Sequence, residues 1–271
     1  MTDGSLKGRV VLITGGSRGL GREMALALAE AGAHIAITGA APSDALEDTR
    51  AEIERLTAVL SIPANVADPI ASASAVAKTV ERFGRLDVLI NNAGLGMRLI
   101  SETFNTVPTK FWEADTDAWS RIVDTNVNGP FLTARAAVPQ MLGQGFGKVI
   151  NISTSDITMV RNGYSPYGPA KAFLEAASRV WAADLAGTGI DVNVLLPGGA
   201  TDTDLLPPSP DKKGADGNLL SPRIMRDPVR WLASDASNGI TGARFIARLW
   251  PSAGVAPGAA RVDQGETPSI M

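Results

Sequence analysis

Apolar positions along the chain follow two alternating rhythms. Val10-Val11-Leu12-Ile13 is apolar throughout, as a strand covered on both faces requires. Gly19 to Ala31 follows, with Leu20, Met24, Ala27, Leu28 and Ala31 at helical spacing and Gly32 as a stop signal. The same alternation predicts strands over 34–37, 62–66, 86–90, 148–153, 191–196 and 243–248. It predicts helices over 44–60, 69–83, 117–142, 168–186 and 222–234. Strand–helix alternation of this kind implies right-handed crossovers and a Rossmann-like, doubly wound parallel α/β sheet of about seven strands, with helices on both faces. Residues 1–250 read as one domain and 251–271 as a C-terminal tail, Ala/Gly/Pro-rich and expected to be extended or partly disordered. Two long irregular stretches, 95–116 and 198–221, follow strands at their carboxyl ends, where such sheets bind ligands, and are expected to wall or cover a pocket.

Bulk composition narrows the function without choosing it. With 45% hydrophobic and 20% charged residues in 271, the chain has ample material for one large core. A net charge of −3 favours neither nucleic acid nor an anionic membrane as partner. The absence of cysteine removes thiolate and disulfide chemistry, and no metal site is expected. The polar start and the lack of a long apolar run lead to the expectation of a soluble, cytoplasmic protein. The single histidine, His34, falls within the second strand and reads as structural.

Two motifs carry chemistry. Thr14-Gly15-Gly16-Ser17-Arg18-Gly19-Leu20-Gly21 joins the first strand to the first helix. Its glycines permit a tight turn, a close approach to a pyrophosphate and close helix–sheet packing, and the helix N-terminus offers N–H groups to phosphate. Tyr167 and Lys171 lie four apart, on one face of a helix, with Pro169 in its first turn. An ammonium beside a phenol favours the phenolate and lowers its pKa towards the range useful for proton transfer. In a third place, Pro130 has no N–H to return to the carbonyl of Asn126, which strains the long helix there and frees that carbonyl for another partner.

Together with Asn91-Asn92-Ala93-Gly94 after the fourth strand and Pro197-Gly198 after the sixth, these motifs resemble the short-chain dehydrogenase/reductase family in its short single-domain branch, over roughly residues 7–248. The resemblance implies an NAD(P)-dependent oxidoreductase that moves hydride between a nicotinamide and an alcohol or ketone. It implies Tyr167 as proton donor and acceptor, Lys171 as its tuning cation and ribose ligand, and Asn126 as anchor of a water leading protons to bulk. The hydroxyl that holds the substrate oxygen is usually a serine thirteen residues before the tyrosine. Here that residue is Thr154, followed by Ser155, and either can present the hydroxyl.

The cofactor is expected against Gly15, Ser17, Arg18, Gly19, Leu20, Gly21, Gly39, Asn65, Val66, Asn92, Ala93, Gly94, Tyr167, Lys171, Pro197 and Gly198. Gly39, Ala40 and Ala41 end the second strand without a carboxylate to bind a ribose 2′-hydroxyl, and Arg18 is placed to pair with a 2′-phosphate, which favours NADP(H) over NAD(H). Leu95, Met97, Tyr164, Leu205 and Leu206 suggest an apolar substrate pocket, with Trp112 in the first irregular loop beside it. A homodimer or homotetramer is implied through the two long helices. The competing readings are a non-catalytic dinucleotide-binding sensor or scaffold, and a dehydratase or epimerase on the same scaffold.

Overall fold

A computed structural model describes residues 6–209, 212–214, 217–251 and 257–262. In chain order it contains β1 (Val10–Ile13), α1 (Gly19–Glu30), β2 (His34–Gly39), α2 (Asp44–Glu54), β3 (Val59–Pro63), α3 (Pro69–Phe83) and β4 (Val88–Asn91). There follow α4 (Thr116–Val123), α5 (Gly129–Gln144), β5 (Gly147–Ile152), α6 (Asp156–Met159), α7 (Tyr167–Asp184), β6 (Ile190–Leu196), α8 (Arg226–Ala233), β7 (Arg244–Ile246) and β8 (Arg261–Val262).

The strands form one sheet in the order β3-β2-β1-β4-β5-β6-β7-β8. The first seven are parallel, and β8 pairs antiparallel with β7. The strand order reverses between β1 and β4, which opens a crevice at their carboxyl ends. Continuous apolar runs are explained by the two cores. Val11 and Ile13 pack with Met24 and Leu28 of α1 on one face, and Leu12 packs with Leu89, Met141 and Val149 on the other. Side chains alternate across a strand, so a sheet covered on both faces needs apolar residues at every position.

Several boundaries differ from the sequence pattern. The second helix stops at Glu54 and β3 begins at Val59 rather than Ile62. Pairing with β2, Ile35 opposite Val59 and Gly39 opposite Pro63, sets that register, which local periodicity does not contain. The predicted helix over 117–142 is interrupted by a π-helical turn, Asp124–Asn128. Pro130 cannot return an N–H to residue 126, and the ladder accommodates this by widening: the Gly129 N–H reaches back to the Asp124 carbonyl. The helix predicted over 222–234 opens with a separate 3-10 turn, Pro222–Met225. The last predicted strand ends at Ile246 and turns through Ala247–Leu249. Of the predicted tail, residues 257–262 supply a short turn and β8, while 252–256 and 263–271 lie outside the described residues. Among the described residues, no helix is long and apolar enough to cross a membrane.

Candidate active site

The turn after β1 is built by contacts at glycine positions. Gly15 has φ +64, and a Cβ there would stand 2.8 Å from the Ala93 Cα. A Cβ on Gly21 would stand 2.1 Å from the Gly15 carbonyl oxygen and 2.5 Å from Asn92 Nδ2. The Asn92 amide donates to the carbonyls of Thr14 (3.0 Å) and Gly15 (2.9 Å). Thr14 Oγ1 accepts from the backbone N–H groups of Asn92 (3.0 Å) and Ala93 (3.1 Å). The loops after β1 and β4 are thereby locked together at the crevice. Nothing local to the glycine turn announces this role for Thr14, because its hydroxyl contacts depend on where β4 ends.

The N-terminus of α1 is fit for an anion. Its N-cap, Arg18, makes no side-chain cap bond, and no acidic residue stands in the first turn. Of the other helices, α2, α3, α4 and α6 are capped by Ser43, Asp68, Asp115 and Ser155, while α5, α7 and α8 also lack a side-chain cap. An uncapped N-terminus leaves N–H donors and the positive dipole end facing the crevice, as a dinucleotide pyrophosphate requires. Around it, the Ser17 carbonyl is held by Thr49 Oγ1 (2.8 Å), Leu20 is half-buried against the core, and Gly39 closes β2 over Leu46. Asn65 is exposed and its Oδ1 accepts from the Ala67 N–H, while Val66 is buried against Gly129. Pro197 and Gly198 follow β6, the Pro197 carbonyl accepting from the Arg248 N–H at 3.0 Å. Arg18 is 71% exposed and reaches across to Asp204, at 3.2 Å, so in this structure its partner is the second irregular loop. Arg98 holds the same loop by donating to the Asp204 carbonyl at 2.8 Å.

At the carboxyl end of β5 the chain brings together Thr154, Tyr167 and Lys171. Tyr167 opens α7 and sits among Met97, Phe104, Ile122, Leu95, Tyr164 and Leu206; of the apolar residues expected around the site, Leu205 lies outside this cluster and is exposed. Trp112 is exposed on the loop edge, packed edge-on to Phe111. Ser155 is committed elsewhere: its Oγ caps α6, accepting from the Thr158 N–H at 3.3 Å and bonding Thr158 Oγ1 at 2.9 Å. Of the two hydroxyl residues, it is Thr154 that lies near enough to the Tyr167 phenol to act against the rise in its pKa.

The electrostatics depart from the simple expectation of a lysine-lowered phenol. Burial pushes the Tyr167 phenol up to about 12, outweighing the opposing effect of Thr154, and Tyr164 adds to the rise. Burial lowers Lys171 to about 8, with Glu175 acting against it. Lys171 Nζ donates to the Ile152 carbonyl at 2.8 Å instead of spending itself on the phenol.

Asn126 is fully buried. Its Oδ1 accepts from the Leu95 N–H and its Nδ2 donates to the Leu95 carbonyl, each at 2.8 Å. A Cβ on Gly94 would lie 3.3 Å from that Oδ1 and 3.8 Å from Lys171 Nζ, so Gly94, Asn126 and Lys171 converge on one spot. His34, by contrast, stacks on Phe83 and meets Thr57, away from the site. No cluster of three or more metal-ligating side chains occurs among the described residues.

A family model described as short chain dehydrogenase matches residues 9–214. The chain belongs to the short-chain dehydrogenase/reductase family. A short chain dehydrogenase/reductase of Aspergillus oryzae is 33% identical over 252 residues, covering 88% of this chain and 93% of the relative. A 3-oxoacyl-[acyl-carrier-protein] reductase of Synechocystis sp. is 33% identical over 246 residues, covering 89% and 96%. Among solved structures, carveol dehydrogenase from Mycobacterium avium in complex with NAD superposes with a TM-score of 0.77 at 27% identity, covering 89% of this chain and 96% of that one. As a short-chain dehydrogenase/reductase, the protein is an NAD(P)-dependent oxidoreductase.

Proposed function

We propose that this short-chain dehydrogenase/reductase reduces a carbonyl on an apolar substrate, with Tyr167 as proton donor and NADP(H) as the favoured cofactor. The observation that carries the reading is the buried Tyr167 phenol at the carboxyl end of β5, with the buried Lys171 one turn along α7 and Thr154 near enough to act on the phenol. A phenol held up to about 12 is protonated at neutral pH, the state needed to give a proton to an oxygen that is gaining charge. When bound, the nicotinamide supplies the hydride to the substrate carbon. Tyr167 Oη gives its proton to the oxygen of the former carbonyl, leaving an alcohol and a phenolate. The Thr154 hydroxyl donates a second hydrogen bond to that oxygen and orients it. The Lys171 ammonium, anchored on the Ile152 carbonyl, stabilises the phenolate as it forms. The proton then returns to Tyr167 by way of Lys171 and a water on the Asn126 carbonyl. The Asn126 side chain is tied to Leu95 through both its polar atoms, which fixes the segment that carries that carbonyl.

The residues that would hold the cofactor are those at the uncapped N-terminus of α1, Gly15, Ser17, Gly19, Leu20 and Gly21, together with Asn92, Ala93, Gly94, Tyr167, Lys171, Pro197 and Gly198. NADP(H) is favoured because Gly39, Ala40 and Ala41 present no carboxylate to a 2′-phosphate, and the exposed Arg18 of the glycine turn has only an exposed ion pair to give up. Asn65 and Val66 would flank its adenine. The outward apolar side chains Phe131 and Leu142 of α5 and Phe173 and Val180 of α7 support pairing with further copies of the chain in a homodimer or homotetramer, in the cytoplasm.

Consumption of reduced nicotinamide, followed by its absorbance with a panel of apolar ketones and aldehydes, tests the reading. NADPH oxidation coupled one-to-one to alcohol formation is expected. Tight cofactor binding without turnover of any carbonyl would favour a sensor, and product formation without net cofactor change a dehydratase or epimerase.

A further inference from the structure

Behind the proposed site lies a buried charge pair to which that chemistry assigns no part. Arg244, on β7, donates from Nε to both carboxylate oxygens of Glu175, at 3.1 and 3.0 Å, and from Nη2 to the Thr154 carbonyl at 3.1 Å. The two side chains are only 9% and 10% exposed. Glu175 stands one helical turn beyond Lys171 and two beyond Tyr167, so the three share one face of α7. Burying such a pair costs more solvation than its attraction usually returns, so it is a weak candidate for a purely stabilising device.

We propose that Arg244 and Glu175 are positioning residues of the oxidoreductase site: Glu175 holds Lys171 in its charged form, and Arg244 limits that effect while fixing the Thr154 main chain from behind. The inference rests on the reading of Lys171 and Thr154 given above. The carboxylate is the opposite charge nearest Lys171 along its helix and favours the ammonium against the burial that opposes it. Burial pushes the Glu175 carboxyl up, Arg244 and the Ser153 hydroxyl act against this, and Asp156 of α6 adds to it. The groups facing this chain of charges are therefore Arg244 from β7, Asp156 from α6, Tyr164 from the loop before α7, and Tyr167 and Lys171 on α7 itself.

The arrangement makes opposite demands on two single substitutions. In Glu175→Gln the negative charge is gone while Arg244 stays, so Lys171 loses its proton at lower pH. In Arg244→Met the Glu175 carboxyl holds its own proton to higher pH, but in the alkaline range where Lys171 titrates it is ionised and acts on Lys171 alone, so Lys171 keeps its proton to higher pH. Each displacement is expected to be about one pH unit. Urea unfolding of each full-length variant against the same variant carrying Lys171→Met, across neutral to alkaline pH, reads the Lys171 titration without a substrate. The pH at which the difference begins to rise is expected to move down in Glu175→Gln, up in Arg244→Met, and back to the wild-type position in Arg244→Lys. The alkaline limb of kcat/KM for carbonyl reduction is expected to move in the same directions. Should Arg244→Met fail to fold, Glu175→Gln and Arg244→Lys decide alone. Displacements of the same sign, or none, overturn the inference, because a merely structural pair lowers stability without moving the titration. Tyr167→Phe separates the two failures: full turnover in that variant sinks the underlying reading, whereas an inactive Tyr167→Phe with unmoved titrations sinks only this one.

Discussion

Replacing Lys171 by methionine should make the protein respond differently to alkali, and the size of the response follows from the structure. The Lys171 ammonium is buried, and burial lowers its pKa from 10.5 to about 8. Between those values the unfolded chain binds a proton that the folded chain does not, so folding stability rises with pH across the window. Below about 8 the full cost of the buried cation is present. The window is 10.5 − 8 = 2.5 pH units, which at 1.36 kcal/mol per unit amounts to about 3 kcal/mol. Tyr167 acts in the opposite sense, but only above its ordinary value of 10.0, since its folded value is held up to about 12. Urea unfolding of wild type and Lys171→Met without cofactor, at about pH 7 and again at about pH 10, isolates the lysine. Wild type should gain on the variant by about 2–3 kcal/mol between the two conditions. An unchanged difference would mean that Lys171 is not a buried cation in the folded protein, and the electrostatic argument for the site would fall with it.

Other consequences are equally direct. Gly21→Ala places a methyl 2.1 Å from the Gly15 carbonyl oxygen, so the turn must open. Its affinity for NADPH, read by fluorescence titration, should drop by about tenfold or more, and unchanged binding would contradict the role given to that turn. Asn126→Leu leaves the N–H and the carbonyl of Leu95 without their partners, which should cost about 2 kcal/mol or more in chemical unfolding; wild-type stability would contradict the contact. Arg18→Ala should weaken NADPH binding by about tenfold and leave NADH nearly unaffected, and an equal loss for both cofactors would remove the 2′-phosphate argument.

Much of the fold was legible because a sheet covered on both faces writes itself as continuous apolar runs. Val10 to Ile13 and Asp191 to Leu196 needed no tertiary information. The glycine turn and the Tyr167–Lys171 spacing were legible for a similar reason: both are local patterns whose geometry follows from one turn or one helix. The register of β3 was not, because pairing with β2 sets it from outside the segment. Pro130 announced strain near Asn126, but how the helix would absorb it, by one widened turn, depends on neighbours that hold α5 in place. The raised pKa of Tyr167 could not be read either, since burial by Met97, Phe104, Ile122 and Leu206 assembles from three distant stretches. Arg244 and Glu175 are 69 residues apart and belong to no motif, so only the folded chain brings them behind the site.

The central claim is that Tyr167 delivers the proton, and one substitution tests it. Tyr167→Phe keeps the ring and removes the hydroxyl from an apolar setting that tolerates the change. With a carbonyl substrate found in the panel, the variant should bind NADPH as wild type does, yet lose at least about a thousandfold in kcat. A Tyr167→Phe enzyme that turns over within about tenfold of wild type would contradict the account.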